Sequence, residues 1–182
     1  LLYYGVESTQ SDCHQLSFRS SPVKILIIKT IYSRIKNSNS SDCFEGHNFQ
    51  ILSHKLKNCV ILNLENNLSL SADFTMTYKR NLWAADKANL YQAILSADYR
   101  MKERGTLSVN LQYIKVLYNQ NTNNSISYEM LEGLTAGNNF LWDVGYQTKL
   151  FEYLQLSLQY EGRLTNENRL IHTGYLQLKA MF

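Results

Sequence analysis

Serine hydrolysis chemistry needs a nucleophile and a base within hydrogen-bonding reach of each other. In the C-terminal part of the chain the candidate base is His172, and the candidate nucleophiles are Ser96 and Ser157. All three lie in segments where apolar and polar residues alternate, and His172 falls in the apolar set whereas both serines fall in the polar set. Since successive side chains of a strand point to opposite faces, we predict no dyad. His172 is then expected at a membrane interface, and the chain is predicted not to be an enzyme.

A metal site is the second chemistry that the residue types allow. Cys13, His14, Cys43 and His47 are the candidate ligands, but they lack the closely paired spacing of structural zinc sites. Cys59 has no evident partner. The chain also has no glycine-rich phosphate loop, and a net charge of +3 without a basic run does not indicate nucleic-acid binding. We therefore predict no metal, no cofactor and no nucleic-acid partner.

The segment from Leu62 to Arg80 shows the pattern that organises the chain. Its even positions are apolar except for Asn66, and its odd positions are polar. This period of two predicts strands with one apolar and one polar face, either as one very long strand or as two strands joined by a turn at 65–67. The same alternation recurs in five further segments, at 90–101, 106–118, 139–150, 153–163 and 170–182.

Strand length and connection length both favour a membrane β-barrel. The alternating segments exceed the roughly five or six residues of an average strand and match the roughly nine to eleven that cross a bilayer at a tilt. Tight turns at 102–105 and 149–152 alternate with longer connections, of which the polar segment 119–137 is the longest. Bacterial barrels have short periplasmic turns and longer extracellular loops, so 119–137 is the candidate for external contacts.

Aromatic and charged residues are distributed as a barrel would require. Aromatic rings favour the two bilayer interfaces, and the candidates are Tyr78, Trp83, Tyr91, Tyr99, Tyr113, Phe140, Trp142, Phe151, Tyr153 and Tyr160. Cross-strand pairing in a soluble sheet would also explain such aromatic residues. Charges of both signs fall in the polar set, and the predicted lumen charges are Asp73, Lys79, Asp98, Arg100, Asp143, Lys149, Glu161 and Lys179. A hydrogen-bonded network filling the lumen is the favoured interpretation, and a selective pore is the alternative.

The C-terminal stretch "LIHTGYLQLKAMF" alternates to its last residue, which is aromatic. It resembles the terminal strand of Gram-negative outer-membrane β-barrel proteins, in which a terminal aromatic and apolar residues at every second position form the signal read by the barrel-assembly machinery. The matching residues are Gly174, Leu176, Leu178, Ala180 and Phe182. Ala180 departs from the pattern, since that position is usually aromatic. The resemblance implies an outer-membrane location, with the lipid bilayer and the assembly machinery as partners.

We predict an all-β chain, an antiparallel meander of long strands that forms a transmembrane β-barrel or a C-terminal portion of one. Residues 1–47 are predicted to be irregular and residues 48–182 to form the barrel-like region. Because the chain begins with Leu, we expect a fragment whose additional strands or partner chain are missing. The function would be a membrane anchor, conduit or surface scaffold. The alternative is a secreted or periplasmic soluble β-sandwich binding module, in which a second sheet would cover the apolar face.

Overall fold

The computed structural model describes residues 5–42, 45–64, 67–101, 105–120, 125–166 and 170–180, and of residues 45 and 125 the backbone alone. These residues contain nine strands and one α-helix, which lies between the sixth and the seventh strand. The strands are β1 (Glu7–Val23), β2 (Leu26–Ser41), β3 (Phe49–Leu64), β4 (Leu68–Asn81), β5 (Lys87–Met101), β6 (Gly105–Tyr118), β7 (Gly137–Phe151), β8 (Leu154–Leu164) and β9 (Leu170–Ala180). The helix α1 spans Ser125–Leu131, and a short 3-10 turn spans Glu45–His47.

The nine strands form a single antiparallel sheet in which every strand pairs with its neighbours in sequence. The predicted all-β fold and antiparallel meander are thus confirmed. β1 and β9 are the two edges and do not pair with each other, so the sheet is not closed into a barrel. The strands are 11 to 17 residues long, well above the average for globular proteins.

The register places the alternating residues of all nine strands on two distinct faces. Leu70 lies opposite Leu62 on β3 and Ala97 on β5, and Ala97 in turn lies opposite Val109. We call the face that carries these residues the apolar face. The opposite face, on which α1 packs, is called the inner face. Because the side-chain period of a strand is two, this register puts each predicted apolar set on one side of the sheet.

The strands are staggered in one direction across the sheet. One row of paired residues, read from the first residue of β9 back to β2, is Leu170, Leu164, Phe140, Tyr113, Ala93, Phe74, Asn58 and Thr30. On β2 this row lies eleven residues before Ser41, where that strand ends. The stagger is about 1.6 residues per strand, or about 5 Å for each strand spacing of about 4.8 Å. It corresponds to a tilt of about 45–50°, close to that of barrel strands.

Connection lengths alternate as the sequence predicted. The short connections 24–25, 65–67, 102–104 and 152–153 join strand ends at one edge of the sheet, which we call the short-turn edge. The longer connections 42–48, 82–86, 119–136 and 165–169 join strand ends at the opposite, long-connection edge. β9 runs from the long-connection edge to the short-turn edge.

The N-terminal segment differs from the prediction. Residues 1–47 were expected to be irregular, but β1 and β2 occupy most of the part that the structure describes. The Ser- and Asn-rich stretch 33–42 has the composition of a loop, yet its polar side chains bond across strands. Asn39 Oδ1 accepts from Thr9 Oγ1 at 2.9 Å, and Asn37 Oδ1 accepts from Ser11 Oγ at 2.8 Å. Tertiary pairing thus overrides local composition here.

Two further boundaries are refined. The segment Leu62 to Arg80 belongs to two strands, since β3 ends at Leu64 and β4 begins at Leu68, so the single-strand alternative is wrong. The tight turn expected at 149–152 begins later, because β7 continues to Phe151 after a register shift between Lys149 and Phe151. Such an irregularity re-aims the side chains at the end of a strand.

The segment 119–137 contains α1, which the sequence did not predict. Its seven residues are too few for a stable isolated helix, so packing must hold it. The helix ends in two left-handed residues, Glu132 with φ 56° and Gly133 with φ 72°, and Gly133 N donates to Tyr128 O at 3.0 Å. This closure satisfies a terminal carbonyl and turns the chain back along the sheet.

Candidate membrane-facing surface and inner face

The two faces of the sheet have an exposure pattern opposite to that of a soluble domain. On the apolar face Leu95 is 59% exposed and Leu176 is 66% exposed. On the inner face Thr75 is 3% exposed and Lys79 is 7% exposed. Soluble proteins rarely expose contiguous apolar patches of more than a few hundred Å², and they bury charged residues only when these are paired. A sheet that curves around its inner face would bring the polar side chains closer together and bury them. It would also move the apolar side chains apart and expose them.

The predicted aromatic residues lie on the apolar face or in the connections. Those on the apolar face are Tyr78, Tyr91, Tyr99, Tyr113, Phe140, Trp142 and Tyr160. Trp83 lies in the 82–86 connection, 55% exposed. At the short-turn edge Phe151 stacks on Tyr153 with ring centroids 5.9 Å apart. Tyr99 also lies toward that edge, so the aromatic residues form two groups, one near each edge.

The aromatic group near the long-connection edge follows the stagger of the sheet. Tyr78, Tyr91 and Tyr113 lie on β4, β5 and β6, and each is two register rows nearer the short-turn edge than the preceding one. Phe140 shares a row with Tyr113, and their ring centroids are 4.9 Å apart. Because the strands are tilted, a diagonal of this kind corresponds to a nearly constant height along the axis of a curved sheet.

His172 lies in an aromatic cluster on the apolar face. Its Nδ1 is 2.7 Å from the hydroxyl of Tyr160, and the two rings stack with centroids 5.8 Å apart. Trp142 approaches from the side and packs against Gly162, where a Cβ would overlap the indole. Glycine is therefore required at this position for the close approach.

The register separates the candidate catalytic residues. His172 pairs with Gly162 on the apolar face, whereas Ser96 and Ser157 lie on the inner face. The histidine and the serines therefore lie on opposite faces, as the alternation predicted. Sequence reasoning overlooked a second histidine of the same kind, His54, whose Nδ1 is 2.8 Å from the Tyr32 hydroxyl. Neither Tyr32 nor His54 lies in an alternating segment of the sequence, so no sequence signal marked this pair.

The residues predicted to form the terminal assembly signal follow the apolar face of β9. These are Gly174, Leu176, Leu178 and Ala180, and each pairs with an apolar-face residue of β8. Leu176 and Leu178 lie opposite Leu158 and Leu156. Phe182, the last residue of that predicted signal, lies outside the described residues.

All eight predicted lumen charges lie on the inner face by register. They are Asp73, Lys79, Asp98, Arg100, Asp143, Lys149, Glu161 and Lys179. In the described residues the ion pairs they form are with residues outside this set. Lys57 Nζ lies 2.7 Å from Asp73 Oδ2, and Lys79 Nζ lies 3.0 Å from Glu132 Oε1. Sequence reasoning missed Lys57 and Glu132 because strand register and the path of the long connection decide which charges meet.

A polar cleft of about 390 Å³ opens on the inner face between β6, β7, β8 and β9. Asp143 lies beside it and accepts from Asn110 Nδ2 at 3.3 Å and from Gln159 Nε2 at 3.2 Å. Gln159 Nε2 also donates to Glu161 Oε1 at 2.8 Å. The amide therefore bridges two carboxylates that face each other across the strands, where direct repulsion would be unfavourable.

The helix α1 of the long connection 119–136 covers part of the inner face near the long-connection edge. Met130 and Leu131 of α1 are 0% and 2% exposed, and they pack on an apolar patch of the inner face. The strand residues of that patch are Ile51, Ala88, Leu90, Ile114 and Val116. The sequence had assigned this segment to external contacts, but its helix is folded against the sheet.

Two inner-face cations, Lys79 and Arg163, bond to the same long connection. Lys79 Nζ donates to Glu129 O at 3.0 Å in addition to its ion pair with Glu132. Arg163 Nη2 on β8 donates to Gly133 O at 3.3 Å. Bonds of this type satisfy a buried ammonium group that would otherwise be costly to desolvate. The connection is therefore held by two separate strands, β4 and β8, on the inner face.

The described residues contain no group of three or more His, Cys, Asp or Glu side chains that could hold a metal ion. No helix among them has the length and hydropathy needed to cross a membrane.

The fold defines the chain as an all-β protein with one antiparallel nine-stranded meander. No protein-family model matches it, and neither a curated protein nor a solved structure is significantly similar to it.

Proposed function

We propose that the chain is a segment of an outer-membrane β-barrel that acts as membrane anchor, conduit or surface scaffold. The observation that carries this proposal is an apolar face with many large exposed side chains, opposite a polar face that is buried over parts of the middle strands. In water such a face costs free energy over its whole area, whereas hydrocarbon accepts it. The long tilted strands and the alternation of short and long connections support the same proposal.

The two aromatic groups support an interfacial girdle in this proposal. Rings with a polar tip favour the boundary between hydrocarbon and water. The group near the long-connection edge would lie at the extracellular interface, and Tyr99, Phe151 and Tyr153 at the periplasmic one. The uncharged leucine-rich region between the groups would contact the acyl chains.

On the inner face, α1 and its connection support a constricted or plugged lumen rather than an open pore. The hydrogen bonds that join Asp143 to Asn110 and Gln159, and Gln159 to Glu161, support the network interpretation over a selective pore. The rival proposal, a soluble β-sandwich, requires a second sheet over the apolar face. The described residues form one sheet, and the apolar face stays exposed.

Depth-dependent quenching of Trp142 tests the membrane proposal directly. The Trp83→Phe variant leaves Trp142 as the single tryptophan of the chain. In vesicles containing brominated lipids, we expect quenching of Trp142 fluorescence, strongest with bromines near the headgroup end of the acyl chain. Resistance of the bound chain to carbonate extraction is measured in the same samples.

The control moves the tryptophan to the inner face in the variant Trp83→Phe, Trp142→Phe, Gln159→Trp. This indole should be quenched by aqueous iodide and little affected by the brominated lipids. If Trp142 is no better quenched by lipid than the inner-face tryptophan, or if carbonate releases the chain, the membrane proposal fails.

Phe182→Asp tests the assembly signal in cells. The terminal aromatic and its period-two neighbours are expected to guide assembly, so the substitution should strongly reduce the membrane-integrated fraction measured by urea extraction. Met181→Asp is the matched control, because Met181 belongs to the opposite parity set. Normal assembly of the Phe182→Asp chain would contradict the signal while leaving β9 as a strand.

A further inference from the structure

Charged residues are unevenly distributed over the apolar face. In the described parts of the nine strands, six charged side chains lie on it, namely Asp12, Arg34, Lys36, Arg80, Lys87 and Lys115. All six lie toward the long-connection edge, and five are cationic. The apolar face of these strands carries no charge toward the short-turn edge. We call the five cations the basic belt.

Cations of the basic belt lie close together, and a bound anion would reduce the repulsion between them. Lys36, Arg80 and Lys87 lie in one register row, with Leu52 between the first two. Arg80 and Lys87 face each other directly across β4 and β5. Like charges in directly opposite positions repel. Asp12, the acidic residue of this face in the described strands, lies opposite Lys36 and three strands away from Arg80.

The basic belt is also available to a ligand. Arg34, Arg80, Lys87 and Lys115 are exposed. Within the part of the chain that the structure describes, neither ion pair involves a belt residue. The inner-face cations Lys57 and Lys79, by contrast, are both paired with carboxylates.

The position of the belt relative to the aromatic group indicates the kind of ligand that it would bind. Arg80 lies two residues beyond Tyr78 on β4, and Lys87, its partner on β5, lies two rows beyond Asn89, the partner of Tyr78. The belt therefore follows the aromatic group on its solvent side. If aromatic rings mark the hydrocarbon boundary, cations one step further out reach the level of lipid phosphates, and their long side chains can extend toward them.

We infer that the basic belt binds the phosphate groups of anionic lipids in the leaflet on the long-connection side. This inference rests on the proposed membrane function and extends it to one leaflet and one headgroup chemistry. The multiple cations on β2, β4, β5 and β6 would share several headgroups, and the Arg80–Lys87 pair would flank one phosphate. Attraction of this kind enriches anionic lipid around the chain and weakens with salt.

The test uses the full chain refolded into phosphatidylcholine vesicles that contain trace spin-labelled lipid. The motionally restricted fraction is compared for labelled phosphatidylglycerol and labelled phosphatidylcholine. At low salt we expect about five-fold preference for the anionic label, the size associated with a single cation near an anionic surface. It should fall below about two-fold at high salt, where the Debye length is a few Å. Added inorganic phosphate should compete no better than chloride of equal ionic strength.

Two variants of equal charge complete the design. Arg34→Gln, Arg80→Gln, Lys87→Gln removes three belt cations, and Lys29→Gln, Lys55→Gln, Lys179→Gln removes three from the inner face. The preference should be lost in the first variant and kept in the second. Equal loss in both, or a preference that salt leaves unchanged in the unmodified chain, overturns the inference. Specific displacement by inorganic phosphate would assign the site to free phosphate instead.

Integration is measured in every sample by urea extraction. A chain that integrates but shows no anionic preference overturns the belt inference and leaves the membrane proposal intact. A chain that does not integrate into the phosphatidylcholine vesicles overturns the membrane proposal. The belt inference, which rests on that proposal, then fails as well.

Discussion

Leu95→Arg is expected to lower the free energy of unfolding from vesicles by about 2–4 kcal/mol, the cost of a cation on the lipid face near the bilayer centre. Leu95 is 59% exposed on the apolar face and lies between Ala72 and Leu111 in its register row. An arginine there would take its charge into hydrocarbon. Urea-driven unfolding from vesicles, followed by tryptophan fluorescence, measures the loss.

The neighbouring substitution Ser96→Arg is the control. Ser96 lies on the inner face opposite Ser71 and Asn110, where a cation meets polar groups. We expect a change of about 0.5 kcal/mol or less. The comparison tests whether the apolar face contacts hydrocarbon or water, because in a soluble sheet with Leu95 exposed to water its replacement by arginine would be close to neutral. Equal effects of the two substitutions would rule out the lipid-facing assignment.

Met130→Ala is expected to detach α1 from the inner face at a cost of about 2–5 kcal/mol, the range for removing a buried Met side chain. Met130 of α1 is 0% exposed and packs in the apolar cluster between the long connection and the inner face of the sheet. A local penalty of about 2 kcal/mol raises the open population about thirty-fold. Limited proteolysis of the 119–136 connection should accelerate by at least that factor when cleavage samples the open state.

The matched control is Tyr128→Ala on the same helix. The Tyr128 side chain is 70% exposed, so its removal should change the proteolysis rate much less. Circular dichroism reports whether the sheet persists in both variants. Undiminished protection of the connection in Met130→Ala would mean that Lys79 and Arg163 alone hold it against the sheet.

The alternation of residue types was sufficient to predict the architecture of the C-terminal part. Side chains such as Phe74 and Thr75 fall on opposite faces whatever the surrounding fold, so face assignment follows directly from parity. The alternation of connection lengths was equally readable, because Gly and polar clusters punctuate the strands. Predictions that depended only on local period therefore agree with the structure.

Predictions that depended on which segments meet were less successful. β1 and β2 were missed because Ser and Asn occupy both faces near the long-connection edge, and their strand character comes from partners such as Thr9 and Asn39. α1 was missed because seven residues carry no clear helical period. The Lys79–Glu132 pair could not be foreseen, since it depends on the path of the 119–136 connection.

The described residues form nine strands, and this odd number has a consequence for closing the sheet into a ring. Consecutive strands of the meander reverse direction, so β1 and β9 run the same way. Joining these two edges directly would create a parallel seam in an otherwise antiparallel ring. An all-antiparallel ring needs an odd number of further strands between them. Single-chain bacterial barrels have even strand numbers, and the bilayer does not tolerate unpaired backbone groups at lipid-exposed edges. The polarity of the two edges therefore restricts which strand counts can complete a membrane-spanning form.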